Sequence, residues 1–257
     1  MIEVANQWIY LSIKNLVEFF LLLIQGFLSI FIRPFRLKEI AKQFHFVANE
    51  SAPIVFICVS FSAGVVIVEA TFHMKLVIQN SSMVPGFAAM LILRELAAVV
   101  CCLLLGSRVG AGWAAEIGSM KVTEQIDALK MLGIEPVKYL LSPRLIAASF
   151  GAMFLVALSG ILCILVAMYV STLKLGFTMG SFFSAMRSFV SMQDLYFSMI
   201  KGFCFGAVIP VVSCFYGFRC KAGAEGVGRA TTNSVVVISI LIIMLDFLLS
   251  WIFSNFY

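Results

Sequence analysis

The sequence predicts an all-α polytopic membrane protein with an N-terminal interfacial helix and five transmembrane helices. Of the 257 residues, 62% are hydrophobic and only 12% are charged, whereas a soluble domain carries about 25% charged residues. Apolar runs recur that are long enough to cross a hydrocarbon core of ~30 Å at ~1.5 Å per residue. Because these runs are continuous rather than alternating, they exclude a transmembrane β-barrel.

The apolar runs define the elements in chain order. Residues 15–32 are apolar but contain Glu18 and Gln25, which favours a helix in the membrane interface, with a spanning helix as the alternative. A basic linker follows it. The predicted spans one to five cover residues 52–74, 85–105, 145–170, 196–218 and 235–256. We expect one membrane domain over 1–257, with the interfacial helix and linker in 1–51 and the five-span bundle in 52–257.

Loop charges predict the orientation of the chain. Basic residues are concentrated before span one, between spans two and three, and between spans four and five, whereas the opposite loops contain only Lys75, Lys174 and Arg187. Because cytoplasmic loops are enriched in Lys and Arg, the three basic segments are predicted to be cytoplasmic. Arg108 and Arg229 are among these cytoplasmic basic residues. The amino terminus is then cytoplasmic, and the carboxy terminus lies on the other side of the membrane.

The segment between spans two and three is unusually long. It reads GSRVGAGWAAEIGSMKVTEQIDALKMLGIEP, whereas helix–helix connections usually take about two to eight residues. Val122, Ile126 and Leu129 recur at helical spacing and predict an amphipathic helix over 114–132, which a Gly and a Pro then end. The Ser142–Pro143 pair predicts the start of span three. A solvated connector is one interpretation, but a helix that binds a soluble partner accounts better for the length.

Charges of alternating sign surround this predicted helix and make it a candidate docking surface. They are Glu116, Lys121, Glu124, Asp127 and Lys130. The nucleotide-binding pattern GxxxxGK[ST] is absent from the chain, so an energised activity would require a separate subunit that binds ATP. The cysteines and histidines lack the spacing of metal ligands, and we predict no metal site and no catalytic residue. The basic loops of a membrane protein account for the net charge of +5, so this charge does not indicate binding to nucleic acid.

Charged residues inside the predicted spans form the second candidate site. Arg94 and Glu95 lie well inside span two, Asp246 lies in the middle of span five, and Glu69 lies toward the end of span one. A charge at such depth costs roughly 2.5–3.5 kcal/mol on insertion scales, so each one requires a partner or a wet cavity. Asp246 is the predicted partner of Arg94. One interpretation is an internal ion pair that fixes helix packing, and the other is a polar patch for a lipid headgroup.

Three stretches of the chain resemble the MlaE/YrbE family. They are LRELAAVV, GSRVGAGWAAEIGSMKVTEQIDALKMLGIEPVKYLLSPRLIA and GVGRATTNSVV, and the resemblance extends from about residue 33 to the carboxy terminus. Members of that family are permease subunits of ABC systems that move phospholipids across the bacterial envelope, with relatives in the chloroplast envelope. The resemblance implies that 116–132 contains the coupling helix that docks on the ATPase, and that Arg94 and Glu95 line or border a lipid pocket.

The resemblance also implies partners and a location. The partners are an ABC ATPase that binds the ATP, a second copy of this chain, an MCE-domain protein outside the membrane and a small STAS-type accessory protein. Arg229 is expected to anchor span five at the cytoplasmic face, or to contact the ATPase or an inner-leaflet phosphate. A bacterial inner membrane is favoured over a plastid envelope because no transit peptide precedes the first helix. The alternative function is an ion- or proton-coupled secondary transporter that uses the intramembrane charges.

Overall fold

The structure is a computed structural model that describes residues 14, 17–26, 28, 36–77, 83–174 and 176–255, with the backbone alone at 74–77. Within these residues every regular element is helical. Five helices are long and apolar enough to cross a membrane: Leu37–His73, Val84–Val122, Pro136–Lys174, Met192–Phe218 and Ala224–Ser254. The predictions of an all-helical protein and of five spans are confirmed.

The helices are numbered here in chain order. They are α1 (Val17–Gly26), α2 (Leu37–Phe44), α3 (Ala52–Val77), α4 (Val84–Leu91), α5 (Ala97–Leu105), α6 (Ala111–Val122), α7 (Gln125–Met131), α8 (Pro136–Lys174), α9 (Met179–Phe189), α10 (Met192–Phe218) and α11 (Ala224–Ser254). Single π-helical turns join α4 to α5 at Ile92–Leu96 and α5 to α6 at Gly106–Gly110, so these three segments form one long helix. Turns of this kind are frequent at functional sites.

The long helices alternate in direction, which gives the bundle two ends. We call the end with α1, α2 and α7 the α7 end, and the opposite end with α9 the α9 end. Helix α8 lies centrally and packs against both α3 and α10. Gly206 of α10 permits this contact, because a Cβ there would lie 2.5 Å from the carbonyl oxygen of Ala148. Small residues allow such close approach between membrane helices.

Helix α1 is the described part of the predicted interfacial segment. The Phe19 ring packs edge-on against Phe215 of α10, and Gly26 lies against Leu141 of α8. Residues 15, 16, 27 and 29–32 of the predicted segment lie outside the described residues.

Span three begins earlier than predicted. Helix α8 starts at Pro136, so Ser142 and Pro143 lie inside the helix and do not start it. A proline inside a helix deprives the carbonyl four residues earlier of its hydrogen bond. Here that carbonyl belongs to Tyr139, and the Arg36 guanidinium donates to it at 3.4 Å while stacking on the Tyr139 ring at 3.8 Å. A side chain distant in sequence therefore compensates for the proline.

The predicted amphipathic helix over 114–132 is two helices. Helix α6 is continuous with span two and ends at Val122, and α7 begins at Gln125. Between them Glu124 adopts a left-handed conformation with φ 60°, which no regular α-helix accommodates. Gly133, with φ 76°, then ends α7 as predicted. The helix was predicted as one because hydrophobic spacing alone does not reveal a single reversed residue.

Candidate functional site

A cluster of charged side chains lies between three of the spanning helices. Its centre is Lys201 of α10, whose side chain is 0% exposed. The Lys201 Nζ lies 2.8 Å from Glu95 Oε2 and 2.6 Å from Asp246 Oδ1 of α11. It also donates to Ser250 Oγ at 2.9 Å and to the Arg94 carbonyl oxygen at 3.1 Å. One ammonium group thus connects the π-turn of span two to span five.

A second ion pair extends this cluster toward the α9 end. Arg94 Nε donates to Asp194 Oδ1 at 2.5 Å. Asp194 also closes the capping box at the start of α10, since its Oδ2 accepts from the Ser191 backbone N–H at 2.8 Å and from the Ser191 hydroxyl at 3.2 Å. The carboxylate that caps α10 therefore also holds the guanidinium of span two.

The cluster is only partly enclosed. Lys201 and Asp194 are buried, whereas the side chains of Arg94 and Glu95 are 28% and 43% exposed. Three carboxylates, those of Glu95, Asp194 and Asp246, face two cations. The arrangement can therefore fix the helices through its buried members while offering a polar surface, within apolar helices, through its exposed ones.

The structure assigns the predicted intramembrane residues to different partners. The predicted pairing of Arg94 with Asp246 is wrong, because Asp246 forms an ion pair with Lys201 and Arg94 forms one with Asp194. Arg94 and its neighbour Glu95 reach different partners because successive helical side chains point in different directions. Both side chains do have the partners that their depth requires.

Glu69 does not join this cluster through any described ion pair or hydrogen bond. Its carboxylate lies 3.1 Å from His73 Nε2 on the same helix, and its side chain is 64% exposed. It borders an apolar groove of about 550 Å³ between α3 and α8, lined by Val68, Val166 and Val170. Its place in a lipid pocket stays a prediction.

Sequence reasoning did not identify three members of the cluster as site residues. Lys201 was one charge in the apolar run of span four, and Ser250 looks like any small hydroxyl in span five. Asp194 carried the clearest signal, since Ser191 and an acidic residue three positions later precede an apolar run. Such a motif predicts a helix start but does not reveal a second, long-range partner.

The second candidate site is the α6–α7 elbow, comprising 116–134. Asp127 Oδ2 accepts from Lys121 Nζ at 2.9 Å, and Oδ1 accepts from Lys130 Nζ at 2.9 Å. The hydrogen bond from Lys121, followed by that from Lys130, lowers the pKa of Asp127 below its ordinary value. Glu116 pairs with the buried Arg144 of α8 at 2.7 Å. Four of the five predicted charges, Glu116, Lys121, Asp127 and Lys130, thus brace the elbow internally.

The outer tip of this elbow is apolar. Met131, the last residue of α7, and Leu132, which follows it, are 90% and 75% exposed. Ile126 of the same helix is buried against the bundle. Glu124 is exposed at the turn between the two helices and has no described ion pair. The elbow therefore presents two apolar side chains and a carboxylate beyond the α7 end.

The two predicted basic residues at the α7 end differ in setting. Arg108 of the second π-turn donates to Ser51 Oγ at 2.7 Å and lies 3.7 Å from Glu50, so it ties span two to the start of α3. Arg229 pairs with Glu225 of its own helix at 2.5 Å and is 74% exposed. In the described part of the chain, no group of three or more His, Cys, Asp or Glu side chains could hold a metal ion.

Comparisons with known proteins agree with this architecture. A family model described as Permease MlaE matches residues 40–252. A probable ABC transporter permease protein of Rickettsia typhi is 35% identical over 223 residues, covering 86% of this chain and 85% of the relative. A probable ABC transporter permease protein of Synechocystis is 31% identical over 239 residues, covering 93% of this chain and 90% of the relative.

A third relative is a plant protein. The Arabidopsis thaliana protein TRIGALACTOSYLDIACYLGLYCEROL 1, chloroplastic, is 37% identical over 176 residues, which cover 65% of this chain and 48% of the plant protein. The family match reaches into all five spans, and the two bacterial relatives cover most of the present chain. This protein therefore belongs to the MlaE permease family, and it is a multi-pass membrane permease of the ABC transporter type.

Proposed function

We propose that this permease moves phospholipid between the bacterial inner membrane and the outer envelope, driven by ATP that a separate subunit binds and hydrolyses. The observation that carries the proposal is the partly exposed pair Arg94 and Glu95, held by buried partners within helices that cross the hydrocarbon. A phospholipid needs both a polar contact for its headgroup and apolar surface for its chains. The name of the plant relative, which contains that of a glycerolipid, also supports a lipid cargo.

The chain itself would perform no covalent chemistry and bind no cofactor. Membership of the ABC permeases implies an ATPase partner. We assign the docking of that partner to the α6–α7 elbow, because Met131 and Leu132 are exposed beyond the bundle and Asp127 braces the turn behind them. Motion of the elbow would reach the charge cluster directly, since α6 is continuous with the π-turn that carries Glu95.

The remaining partners and the orientation belong to the same proposal. Two copies of the chain would enclose the lipid path, and an MCE-domain protein would receive or deliver lipid on the far side, with a STAS-type protein as an accessory. The α7 end would be cytoplasmic because the basic segments gather there, which places the carboxy terminus in the periplasm. An ion-coupled transporter is not favoured, because the similar proteins are named as ABC permeases.

The test is reconstitution of the permease with its ATPase in liposomes that contain a fluorescent phospholipid. Lipid transfer, ATP hydrolysis and copurified phospholipid are measured for the wild type and for Glu95→Lys. We expect transfer and bound lipid to fall at least about tenfold, because loss of a charge-assisted hydrogen bond corresponds to roughly 1.5–3 kcal/mol. Assembly with the ATPase should persist, because Glu95 lies far along the long helix from the elbow.

The control is Glu135→Lys, which makes the same charge change at an exposed carboxylate near the α7 end. It should leave lipid transfer unchanged. Unchanged transfer in the Glu95 variant would remove that residue from the path. Hydrolysis of ATP without any lipid transfer by the wild-type complex would refute the proposed cargo, and transfer that follows an ion gradient without ATP would refute the ATP-driven mechanism.

A further inference from the structure

A cavity of about 370 Å³ opens between the end of α10 and the start of α11, at the α7 end and away from the charge cluster. Its polar lining includes Arg219, Lys221, Arg229 and Asn233, and none of its described lining residues carries a carboxylate. Its lining also includes the aromatic residues Phe215 and Tyr216. Cationic and apolar surfaces therefore meet in one concavity.

The balance of charge around this cavity is positive. The Arg219 guanidinium pairs with Glu18 of α1, and Arg229 pairs with Glu225. Lys221 lies within ion-pair distance of no carboxylate among the described residues. Counted over the described residues, the rim thus keeps one positive charge, that of Lys221, without a carboxylate partner, which fits a ligand with a single negative charge.

The backbone fixes the shape of the cavity. Gly226 in the first turn of α11 packs directly on the preceding loop, because a Cβ at this position would lie 2.1 Å from the carbonyl oxygen of Lys221. The loop can approach so closely only because residue 226 is a glycine. The Arg219 guanidinium in turn lies 4.4 Å from the centre of the Phe215 ring. The concavity is therefore built into the fold and does not depend on flexible side chains alone.

The position of the cavity relative to the bilayer identifies the kind of ligand. Arg219 directly follows the apolar run of α10, and Arg229 precedes the apolar run that starts at Val235 by six residues, or ~9 Å of helix. The polar headgroup layer on each side of the hydrocarbon core is of similar thickness, roughly 5–8 Å. These spacings from the apolar runs correspond to headgroup depth for the cations, and Phe215 and Tyr216 lie in the last turn of α10, at the edge of its apolar run.

We infer that this cavity, which we call the α10–α11 site, binds the phosphate of an anionic glycerophospholipid from the leaflet at the α7 end. Lys221 and Arg229 contact the phosphate, and Phe215 and Tyr216 contact the glycerol end of the acyl chains. An acidic side chain of a soluble partner could pair with the cations, but it would leave the aromatic residues Phe215 and Tyr216 of the cavity without an apolar ligand. The site is separate from the transport path of the proposed function and does not depend on it.

The test titrates the purified permease in detergent with dioleoylphosphatidylglycerol, and lipid retention is read by native mass spectrometry. Dioleoylphosphatidylcholine and inorganic phosphate serve as comparison ligands. We expect Lys221→Gln and Arg229→Gln each to weaken phosphatidylglycerol binding about fivefold, and the double variant about 25-fold, since each cation near an anionic lipid surface contributes roughly that factor. Inorganic phosphate should not compete.

The matched control is Lys138→Gln, which removes one positive charge at the same end of the bundle but outside the cavity. Its lipid affinity should change less than about twofold, and thermal unfolding without lipid should show that all variants are folded. Equal affinities for the double variant and the wild type would overturn the site. Competition by inorganic phosphate at the same affinity would show a free-anion site. Copurification of the ATPase is measured for the same variants, and its loss with unchanged lipid affinity would show a protein contact. Either result refutes the lipid assignment.

Discussion

Replacing Lys201 with methionine tests whether one buried cation holds the charge cluster together. In the native protein the Lys201 ammonium lies 2.8 Å from a carboxylate oxygen of Glu95 and 2.6 Å from one of Asp246. The Lys201→Met variant keeps a side chain of similar length and removes the charge. The Glu95 and Asp246 carboxylates would then lie close together inside the helix bundle, and no cation would compensate their negative charges.

The expected loss is large. Removing one partner of a buried ion pair costs about 3–5 kcal/mol, because an uncompensated buried charge remains. Asp246→Asn should cost only about 1 kcal/mol, similar in size to one hydrogen bond, because the Lys201 ammonium keeps the Glu95 carboxylate at 2.8 Å and Ser250 at 2.9 Å and is not left uncompensated. The two single variants should therefore differ by at least about 2 kcal/mol.

The assay is reversible unfolding of the purified permease in mixed micelles, which yields the free energy of unfolding. The triple variant Lys201→Met, Glu95→Gln, Asp246→Asn provides the decisive comparison. It removes the cation and both carboxylates together, and it should recover most of the stability that Lys201→Met loses, since a buried ion pair often exchanges for neutral groups at little cost. If Lys201→Met is no less stable than Asp246→Asn, or the triple variant recovers nothing, the cation does not hold the cluster.

Two further predictions concern helix packing and the elbow. Gly206→Ala should lower the free energy of unfolding by about 1–3 kcal/mol, because the new methyl would meet the Ala148 carbonyl; Gly180→Ala, where nothing lies within 4 Å, should stay within about 0.5 kcal/mol. Asp127→Asn should speed deuterium exchange of α7 at neutral pH, because the amide cannot hold its two lysines as ion pairs. In the wild type the ion pairs form above the pKa of Asp127, which the lysines lower, so protection should be lost only on acidification below the ordinary aspartate range. Equal exchange at neutral pH would contradict the bracing role.

The charge cluster illustrates where sequence reasoning stops. The depth of Arg94, Glu95 and Asp246 in apolar runs was sufficient to predict that each needs a partner, because a membrane core tolerates few lone charges. The choice of partner depends on how far each helix is rotated about its axis and how closely α10 approaches span two. Neither quantity is a property of any local stretch of sequence, so the Lys201 and Asp194 pairings became evident only in three dimensions.

Two helix boundaries, near Pro143 and at Glu124, also differ from what the local sequence predicts. A Ser–Pro pair is a sound local signal for a helix start, yet α8 runs through Pro143 because Arg36 donates to the carbonyl that the proline leaves free. The hydrophobic spacing of the elbow predicts one helix, yet a single left-handed residue divides it. Both departures were decided by contacts or conformations outside the local pattern.

The sequence by itself determined the fold class, the number of spans and the concentration of basic residues at one end. Each of these follows from composition along the chain, because hydrocarbon thickness converts apolar length directly into a span. The three motifs that resemble the MlaE/YrbE family could likewise be identified from the sequence alone. The tertiary structure alone decided which charges share Lys201, which carbonyl Arg36 satisfies, and which side chains gather in the cavity between α10 and α11, because those contacts join residues that only helix packing brings together.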